Sequence, residues 1–177
     1  ALPIYVDNAA IMLRWVTANT PVVYTAQPYP DYHAENPGGS VTGYRTHLPE
    51  MLDGTLLGDD LKTQRLPSPA ASLFGYLNWT FAETYQLLYR GPGWLTGLVR
   101  NMAKYWLDWP LRFTSKKDRR LTLGNALTGG LRVALNQAGV PVWLKTPMQD
   151  IVTEDGKVVG IVVERDGKPF RIRTRKG

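Results

Sequence analysis

The sequence predicts an α+β fold, with helices in the longer N-terminal part and a helix followed by an antiparallel β-meander at the end. Leucines recur every fourth residue from Leu123 to Leu135, as in an amphipathic helix, and Gly139 follows as a helix stop. Three short apolar runs come next, at residues 140–144, 148–153 and 157–164. Asp-Gly pairs follow the second and third runs, and Asp-Gly between β-branched runs is a strong hairpin signal. We expect a buried strand and then the meander.

The N-terminal part predicts a first helix at about residues 9–18, because Asp7 and Asn8 are good N-caps. Four apolar residues share one face of this helix: Ile11, Met12, Trp15 and Val16. That spacing indicates burial in a core rather than binding to a partner. A short strand is expected at residues 22–25.

A loop at residues 27–43 is dense in proline, glycine, asparagine and aspartate, which favour turns over regular elements. It also carries Tyr29, Tyr32 and His33. Loops place functional groups on a scaffold, so the tyrosines could build a site; they could equally pack the loop onto the core. A histidine in such a loop is more often a hydrogen-bonding turn residue than a catalytic base.

Residues 44–73 are rich in proline and glycine and predict irregular chain, with helical turns only around residues 59–65. Two aromatic-rich helices are expected next, at about residues 76–90 and 94–109. Aromatic residues at helical spacing usually pack in a core, although such a face can also lie open as an apolar surface or line a ligand site.

Composition excludes several classes of protein. The 177 residues are 44% hydrophobic, which is ample for a core, and contain no cysteine. Disulfides and thiolate metal sites are therefore excluded, and a reducing compartment is favoured. No apolar run approaches the ~20 residues that a transmembrane helix needs, and we predict no metal site.

The net charge of +6 is concentrated at the C-terminal end, where six basic residues and one acidic residue follow from position 165 onward. Apolar residues and arginines alternate over residues 170–175, as in a half-buried strand. This strand could bind nucleic acid or phosphate, but charge that protects a sheet edge is the commoner explanation. We expect no nucleic-acid partner.

Several motifs occur in a recognisable order: PYPDYHAENPGG, GNAL, a helix ending in AGV, WLKTP, and EDGKVVGIVVERDGK. Together they resemble flavin-dependent 3-ketosteroid Δ1-dehydrogenases, within the wider fumarate-reductase-like flavoproteins. The resemblance implies an FAD cofactor, a steroid or other apolar substrate, and a cytoplasmic enzyme. It also implies that residues 1–120 form a helical substrate-capping domain and that residues 121–177 belong to the FAD-binding domain.

The resemblance gives roles to both loop tyrosines. Tyr32 matches an active-site tyrosine that supports the proton acceptor, a second tyrosine beyond this sequence, while the flavin takes a hydride. Tyr29 would help to wall the substrate pocket. A phenol titrates near 10, so it accepts a proton only when hydrogen bonds or neighbouring charge stabilise its anion.

Cofactor contacts are also implied by the resemblance. Gly124 and Asn125, in the GNAL turn, would approach the flavin, and the backbone of Met148 would hold the adenine. No GxGxxG follows a predicted strand, so the dinucleotide fingerprint is missing. We therefore expect a fragment that is inactive alone, does not retain FAD, and needs the remainder of the same polypeptide as its partner.

Two alternatives stay open at this point. A relative acting on a dicarboxylate, as fumarate reductases and aspartate oxidases do, would need arginine and histidine clamps for the carboxylates. A nucleic-acid-binding module would use the basic C-terminal strand and would bind with a steep salt dependence.

Overall fold

A computed structural model describes residues 2–175, which form two compact units, one ending at Gly139 and the other beginning at Val140. Helices and small antiparallel sheets make the chain α+β, as the sequence predicts. The helix expected to begin the second part lies in the first unit instead. The division into capping and FAD-binding parts concerns an intact flavoprotein and stays a prediction.

Five helices belong to the first unit: α1 (Leu2–Asn19), α2 (Phe81–Leu88), α3 (Trp94–Leu107), α4 (Trp109–Arg112) and α5 (Leu123–Gln137). Its short strands pair antiparallel: β1 (Tyr24–Ala26) with β2 (His47–Pro49), β3 (Leu52–Asp53) with β6 (Arg120–Leu121), and β4 (Ser72–Leu73) with β5 (Leu77–Asn78). Two 3₁₀ helices, Gly54–Lys62 and Pro69–Ala71, complete it.

The first unit buries two apolar clusters. The larger brings α5 against the β3–β6 pair and the long 3₁₀ helix, through Leu52, Leu57, Leu61, Leu111, Leu121, Ala126 and Val133. The smaller contains Leu77, Trp79 and Tyr105. Gly129 and Gly130 are needed for the close approach of α5: a Cβ on Gly129 would lie 2.8 Å from Leu121, and one on Gly130 would overlap Val22.

Helix α1 differs from its prediction. It begins at Leu2, so Asp7 and Asn8 lie inside it and cap nothing, and the Asn8 amide donates to the Ile4 carbonyl instead. Of the face expected in a core, Val16 is buried whereas the other three residues are more than half exposed: Ile11, Met12 and Trp15. The prediction of core packing was therefore wrong for most of this helix.

The two aromatic-rich helices are confirmed as α2 and α3, each shorter than expected. Thr80 and Glu83 form a capping box that fixes the start of α2. Tyr105 is buried and stacks on Tyr76 with ring centroids 5.0 Å apart. Other aromatic residues stay exposed, namely Tyr85, Tyr89 and Trp106. Both expected outcomes, core packing and an open apolar surface, thus occur.

The second unit is the predicted meander, β7 (Met148–Glu154), β8 (Lys157–Arg165) and β9 (Lys168–Arg173), in the order β7-β8-β9. Asp-Gly turns join the strands, and both residues of each turn have positive φ, between 51° and 74°. Positive φ at both central positions is the type I′ pattern, whose twist matches that of the strands. The hairpin prediction is confirmed.

The buried strand expected at residues 140–144 is not formed. The segment has no regular secondary structure, and its apolar side chains are exposed: Val140, Val142, Trp143 and Leu144. A strand needs a neighbouring strand for its backbone hydrogen bonds, and no strand within residues 2–175 pairs with this segment.

Two arginines of the basic C-terminal region contact groups of their own unit. Arg171 lies 3.3 Å from a carboxylate oxygen of Glu154, and the Arg165 guanidinium lies 4.0 Å from the Trp143 ring centroid.

No helix of the described chain is both long and apolar enough to span a bilayer.

Candidate functional site

The loop between β1 and β2 is closed at its base. Gln27 N donates to the Thr46 carbonyl at 2.8 Å, and Tyr44 N donates to the Gln27 carbonyl at 2.7 Å. These bonds continue the β1–β2 ladder, so the ends of the loop are held side by side. The predicted turn-rich segment is therefore a structured loop on a small sheet.

Asp31 organises the loop interior. Its carboxylate accepts from Ser40 N at 2.9 Å and pairs with the Arg45 guanidinium at 2.9 Å. Arg45 also donates to the Gly38 carbonyl at 2.8 Å. A bent loop gains a defined shape when a carboxylate on one arm accepts hydrogen bonds from donors on the other arm.

Gly43 brings the two arms into contact. Its φ is +80°, and a Cβ there would lie 2.5 Å from Tyr29 N and 2.6 Å from Tyr29 C. Only glycine allows both this conformation and this approach of two backbones. The position of Tyr29 therefore depends directly on Gly43.

The two loop tyrosines point to different environments. Tyr29 packs edge-on against Phe81, with ring centroids 4.7 Å apart, and its buried hydroxyl has no partner among the described residues. Burial raises the pKa of the Tyr29 phenol. Tyr32 is fully exposed. Tyr29 therefore packs the loop onto the rest of its unit, as one of the two expectations had it, whereas the role of Tyr32 in a site stays a prediction.

His33 behaves as a turn residue. Its Nδ1 lies 3.1 Å from the Glu35 carboxylate, and both side chains are exposed. Its carbonyl accepts from Asn36 N within the same turn. A catalytic base needs to be within hydrogen-bond reach of the proton it removes, and the neighbour of His33 here is a carboxylate of its own turn.

Two clefts meet at Phe81 and Leu123, which line both. The first, cleft 1, has a volume of about 370 Å³. Its remaining lining residues are Thr25, Gln27, Leu48, Pro49, Glu50, Met51, Thr80, Ala82 and Thr122. The second, cleft 2, has a volume of about 390 Å³ and is more apolar. Its remaining lining residues are Ala70, Ala71, Ser72, Leu73, Trp79, Thr84, Leu87 and Leu88.

The sequence did not single out Phe81 or Leu123. The Thr80–Glu83 capping box was a readable signal for the start of α2, and so for Phe81 as its first residue. The leucine spacing predicts an ordinary helix position for Leu123, yet its φ is +51°. A leucine with positive φ costs about 1–3 kcal/mol, and such strain concentrates at functional sites.

The predicted cofactor residues fall in both units. Gly124 follows the strained Leu123, and a Cβ on it would meet nothing within 4 Å. The Asn125 carbonyl accepts from the Gln64 side chain at 2.8 Å. Met148 begins β7 in the other unit and is more than half exposed. The structure thus joins Gly124 and Asn125 at the start of α5, and their role toward a cofactor stays a prediction.

A nearly buried ion pair stands behind cleft 1. The Arg120 guanidinium binds both oxygens of Glu83, at 2.7 and 2.9 Å, and Asn101 donates to the same carboxylate at 3.0 Å. Burial by itself raises the pKa of Glu83, but the bonds from Arg120, Thr80 N and Asn101 outweigh it, so the pKa lies below its ordinary value of 4.5. The carboxylate is therefore held ionised.

In Asp118, which lies beside this pair, burial outweighs the hydrogen bonds, so the pKa is shifted in the opposite direction. Its oxygens accept from Asn78 N at 3.0 Å and Arg120 N at 2.9 Å. Burial is the larger influence and raises the pKa of Asp118. Ionisation of Asp118 therefore opposes folding at neutral pH, whereas ionisation of Glu83 stabilises the fold.

The lowered pKa of Glu83 predicts a pH-dependent effect of Glu83→Gln. A carboxyl whose pKa is lower in the folded state stabilises the fold above its unfolded pKa, and this stabilisation is lost as pH falls through the folded pKa. In the intact protein we expect Glu83→Gln to lower the melting temperature at pH 7. The difference from the wild type should shrink below about pH 4.5. If Glu83→Gln lowered the melting temperature by the same amount at pH 7 and below about pH 4.5, the lowered pKa of Glu83 would be contradicted.

Residues 1–177 match the FAD binding domain family. The chain belongs to this family. The resemblance to flavoproteins found in the motifs is thereby confirmed.

Curated relatives of this FAD binding domain chain include two 3-oxosteroid 1-dehydrogenases. The protein from Comamonas testosteroni is 34% identical, and the one from Mycolicibacterium smegmatis is 33% identical. Each match covers 98% of this chain but 30% of the relative. The chain therefore spans about a third of the length of the curated relatives it matches.

A solved structure is also similar: 3-ketosteroid Δ1-dehydrogenase from Sterolibacterium denitrificans in complex with 1,4-androstadiene-3,17-dione. The TM-score is 0.86 and the identity 36%, over 98% of this chain and 32% of that one. The similarity extends over both compact units, so it does not depend on a single motif.

Proposed function

We propose that this chain is part of an FAD-dependent dehydrogenase that oxidises a 3-ketosteroid. The observation that carries the proposal is the match to 3-oxosteroid dehydrogenases along 98% of the chain, in sequence and in structure. Because these relatives are about three times longer, the activity is assigned to the intact protein. The cytoplasmic location is part of the same proposal.

The described residues fit one part of an FAD site. Gly124 leaves its Cα open beside strained Leu123, so a flat ring could approach the backbone closely at the start of α5. The GxGxxG cradle for the pyrophosphate has no counterpart in this sequence. We therefore assign Gly124 and Asn125 to the flavin edge and the Met148 backbone to the adenine, and expect these residues alone not to retain FAD.

The bound flavin supplies the hydride acceptor of such a reaction. This chain supplies a phenol, Tyr32, on a loop closed at its base and braced by Asp31. Held in this way, the Tyr32 hydroxyl can donate a hydrogen bond to the group that removes the substrate proton and so stabilise its anionic form. Tyr29, packed on Phe81, would wall the pocket without exchanging a proton.

The character of the clefts favours an apolar substrate over a dicarboxylate. Among the described residues that line clefts 1 and 2 there is no arginine, lysine or histidine, and Glu50 is the one charged side chain. Two carboxylates require cationic clamps, whereas a fused-ring ketone requires apolar walls. From the family resemblance we also propose that residues 1–120 belong to the substrate-capping part and residues 121–177 to the FAD-binding part.

Anaerobic reduction of the flavin tests the proposal. We expect the visible flavin band of the intact protein to bleach on addition of a 3-ketosteroid that is saturated between C1 and C2. The same steroid with a C1–C2 double bond has no hydride to give there and should leave the band unchanged. Bleaching by succinate but not by the steroid would reject the proposal in favour of a dicarboxylate enzyme.

A further inference from the structure

Arg120 is connected to all three walls of cleft 1. One wall is the β1–β2 pair with the residues that follow it to Met51, the second is the start of α2, and the third is the start of α5. Arg120 lies two residues before Thr122, a lining residue of the third wall, but is not itself a lining residue. Its side chain lies behind the surface that a ligand would touch.

The Arg120 side chain joins the first two walls. Its Nη2 binds both oxygens of Glu83, and Glu83 accepts from Thr80 N at 2.9 Å, which fixes the first turn of α2. Its Nε contacts the Met51 sulfur at 3.3 Å. A planar guanidinium can hold two partners at a set spacing because its donors form a rigid fork.

The Arg120 backbone fixes the third wall. Its N–H donates to Asp118 at 2.9 Å, and its carbonyl accepts from the Asn78 amide at 2.7 Å. Asn78 and Asp118 are both buried. The strand that leads into Leu123 is therefore held by groups that solvent does not reach.

Burial strengthens the ion pair between Arg120 and Glu83. The side chains of Arg120 and Glu83 are 16% and 18% exposed, so water screens their attraction little. Phe81, the first residue of α2, follows the Thr80 cap directly and lines cleft 1. A shift of Arg120 would therefore displace the cleft wall that contains Phe81.

We propose that Arg120 is a positioning residue that sets the spacing between the walls of cleft 1 and thereby controls how tightly the substrate is held. The part of this proposal that concerns substrate rests on the proposed function. Arg120 touches no reacting atom; it acts through Glu83, Met51 and the start of α5.

Arg120→Lys in the intact protein tests the proposal. Lysine keeps the charge but reaches Glu83 through one ammonium and cannot also hold Met51. We expect KM for the 3-ketosteroid to rise ~10-fold and kcat to change less than ~3-fold, because a change that weakens substrate binding by the cleft walls and leaves the reacting groups in place acts on KM alone. In a crystal structure of the variant, the Phe81–Met51 separation across the cleft should change.

Arg132→Lys is the matched control. Arg132 binds Asp60 through two contacts of 2.9 and 3.0 Å and is 23% exposed, but neither residue lines cleft 1 or cleft 2. We expect this variant to leave both KM and the cleft unchanged. An equal rise in KM in both variants, or no rise in either, would overturn the assignment to Arg120.

The two parts of the test separate the two proposals. Failure of the wild-type protein to turn over any 3-ketosteroid would reject the proposed function. The crystallographic comparison would still decide the role of Arg120: unchanged wall spacing in Arg120→Lys would overturn it, and a change confined to this variant would support it.

Discussion

Tyr32→Phe in the intact protein is expected to lower kcat by about 10²–10⁴-fold, the range that positioned proton-transfer groups contribute. The substitution removes one hydroxyl from an exposed side chain on the loop between β1 and β2, so the fold should be unaffected. The flavin band should also be unaffected. Steady-state turnover of a 3-ketosteroid, with the flavin content measured in the same sample, checks both expectations.

Tyr44→Phe provides the comparison for Tyr32→Phe. Tyr44 belongs to the same loop and is also exposed, and the proposed reaction does not use its hydroxyl. The same loss of a hydroxyl should leave its kcat near the wild-type value. Turnover by Tyr32→Phe within a few-fold of Tyr44→Phe would reject the role proposed for Tyr32.

Gly43→Ala is expected to destabilise the intact protein by about 2–4 kcal/mol, as the sum of a strained φ and an overlap with backbone. The added Cβ would lie 2.5 Å from Tyr29 N, and backbone cannot move aside as a flexible side chain can. Because the loop must shift, kcat should fall as well. Urea unfolding and steady-state kinetics measure the two effects.

Gly38→Ala separates the two causes. Gly38 lies in the same loop with φ +83°, but a Cβ there would meet nothing within 4 Å. Its cost should be about 1 kcal/mol, that of the backbone conformation alone. Equal costs at Gly38 and Gly43 would show that the contact with Tyr29 is not what requires glycine.

Local signals in the sequence predicted the elements that local chemistry determines. The two Asp-Gly turns dictate type I′ hairpins, and both form. The leucine spacing from Leu123 to Leu135 and the Gly139 stop bounded α5 within two residues. The loop at residues 27–43 was recognised from its turn residues, because their preferred conformations exclude helix and strand.

Elements that depend on distant partners were missed. The β3–β6 pair joins Leu52 to Leu121 with two residues in each strand, too few for any periodicity to appear. Residues 140–144 have a strand-like sequence without a pairing strand in the described chain. The clefts arise where separate segments meet, so Phe81 and Leu123 could not be recognised as neighbours from their spacing.

The loop between β1 and β2, which carries Tyr29 and Tyr32, is closed at its base, and this allows its length to differ between related proteins. Since Gln27, Tyr44 and Thr46 continue the β1–β2 ladder, residues can be added or removed beyond them without altering the register of the sheet. The distance between the Tyr32 hydroxyl and the β1–β2 sheet can therefore change without a change in the sheet itself. Exchanging this loop between homologues should move the hydroxyl while the sheet beneath is preserved.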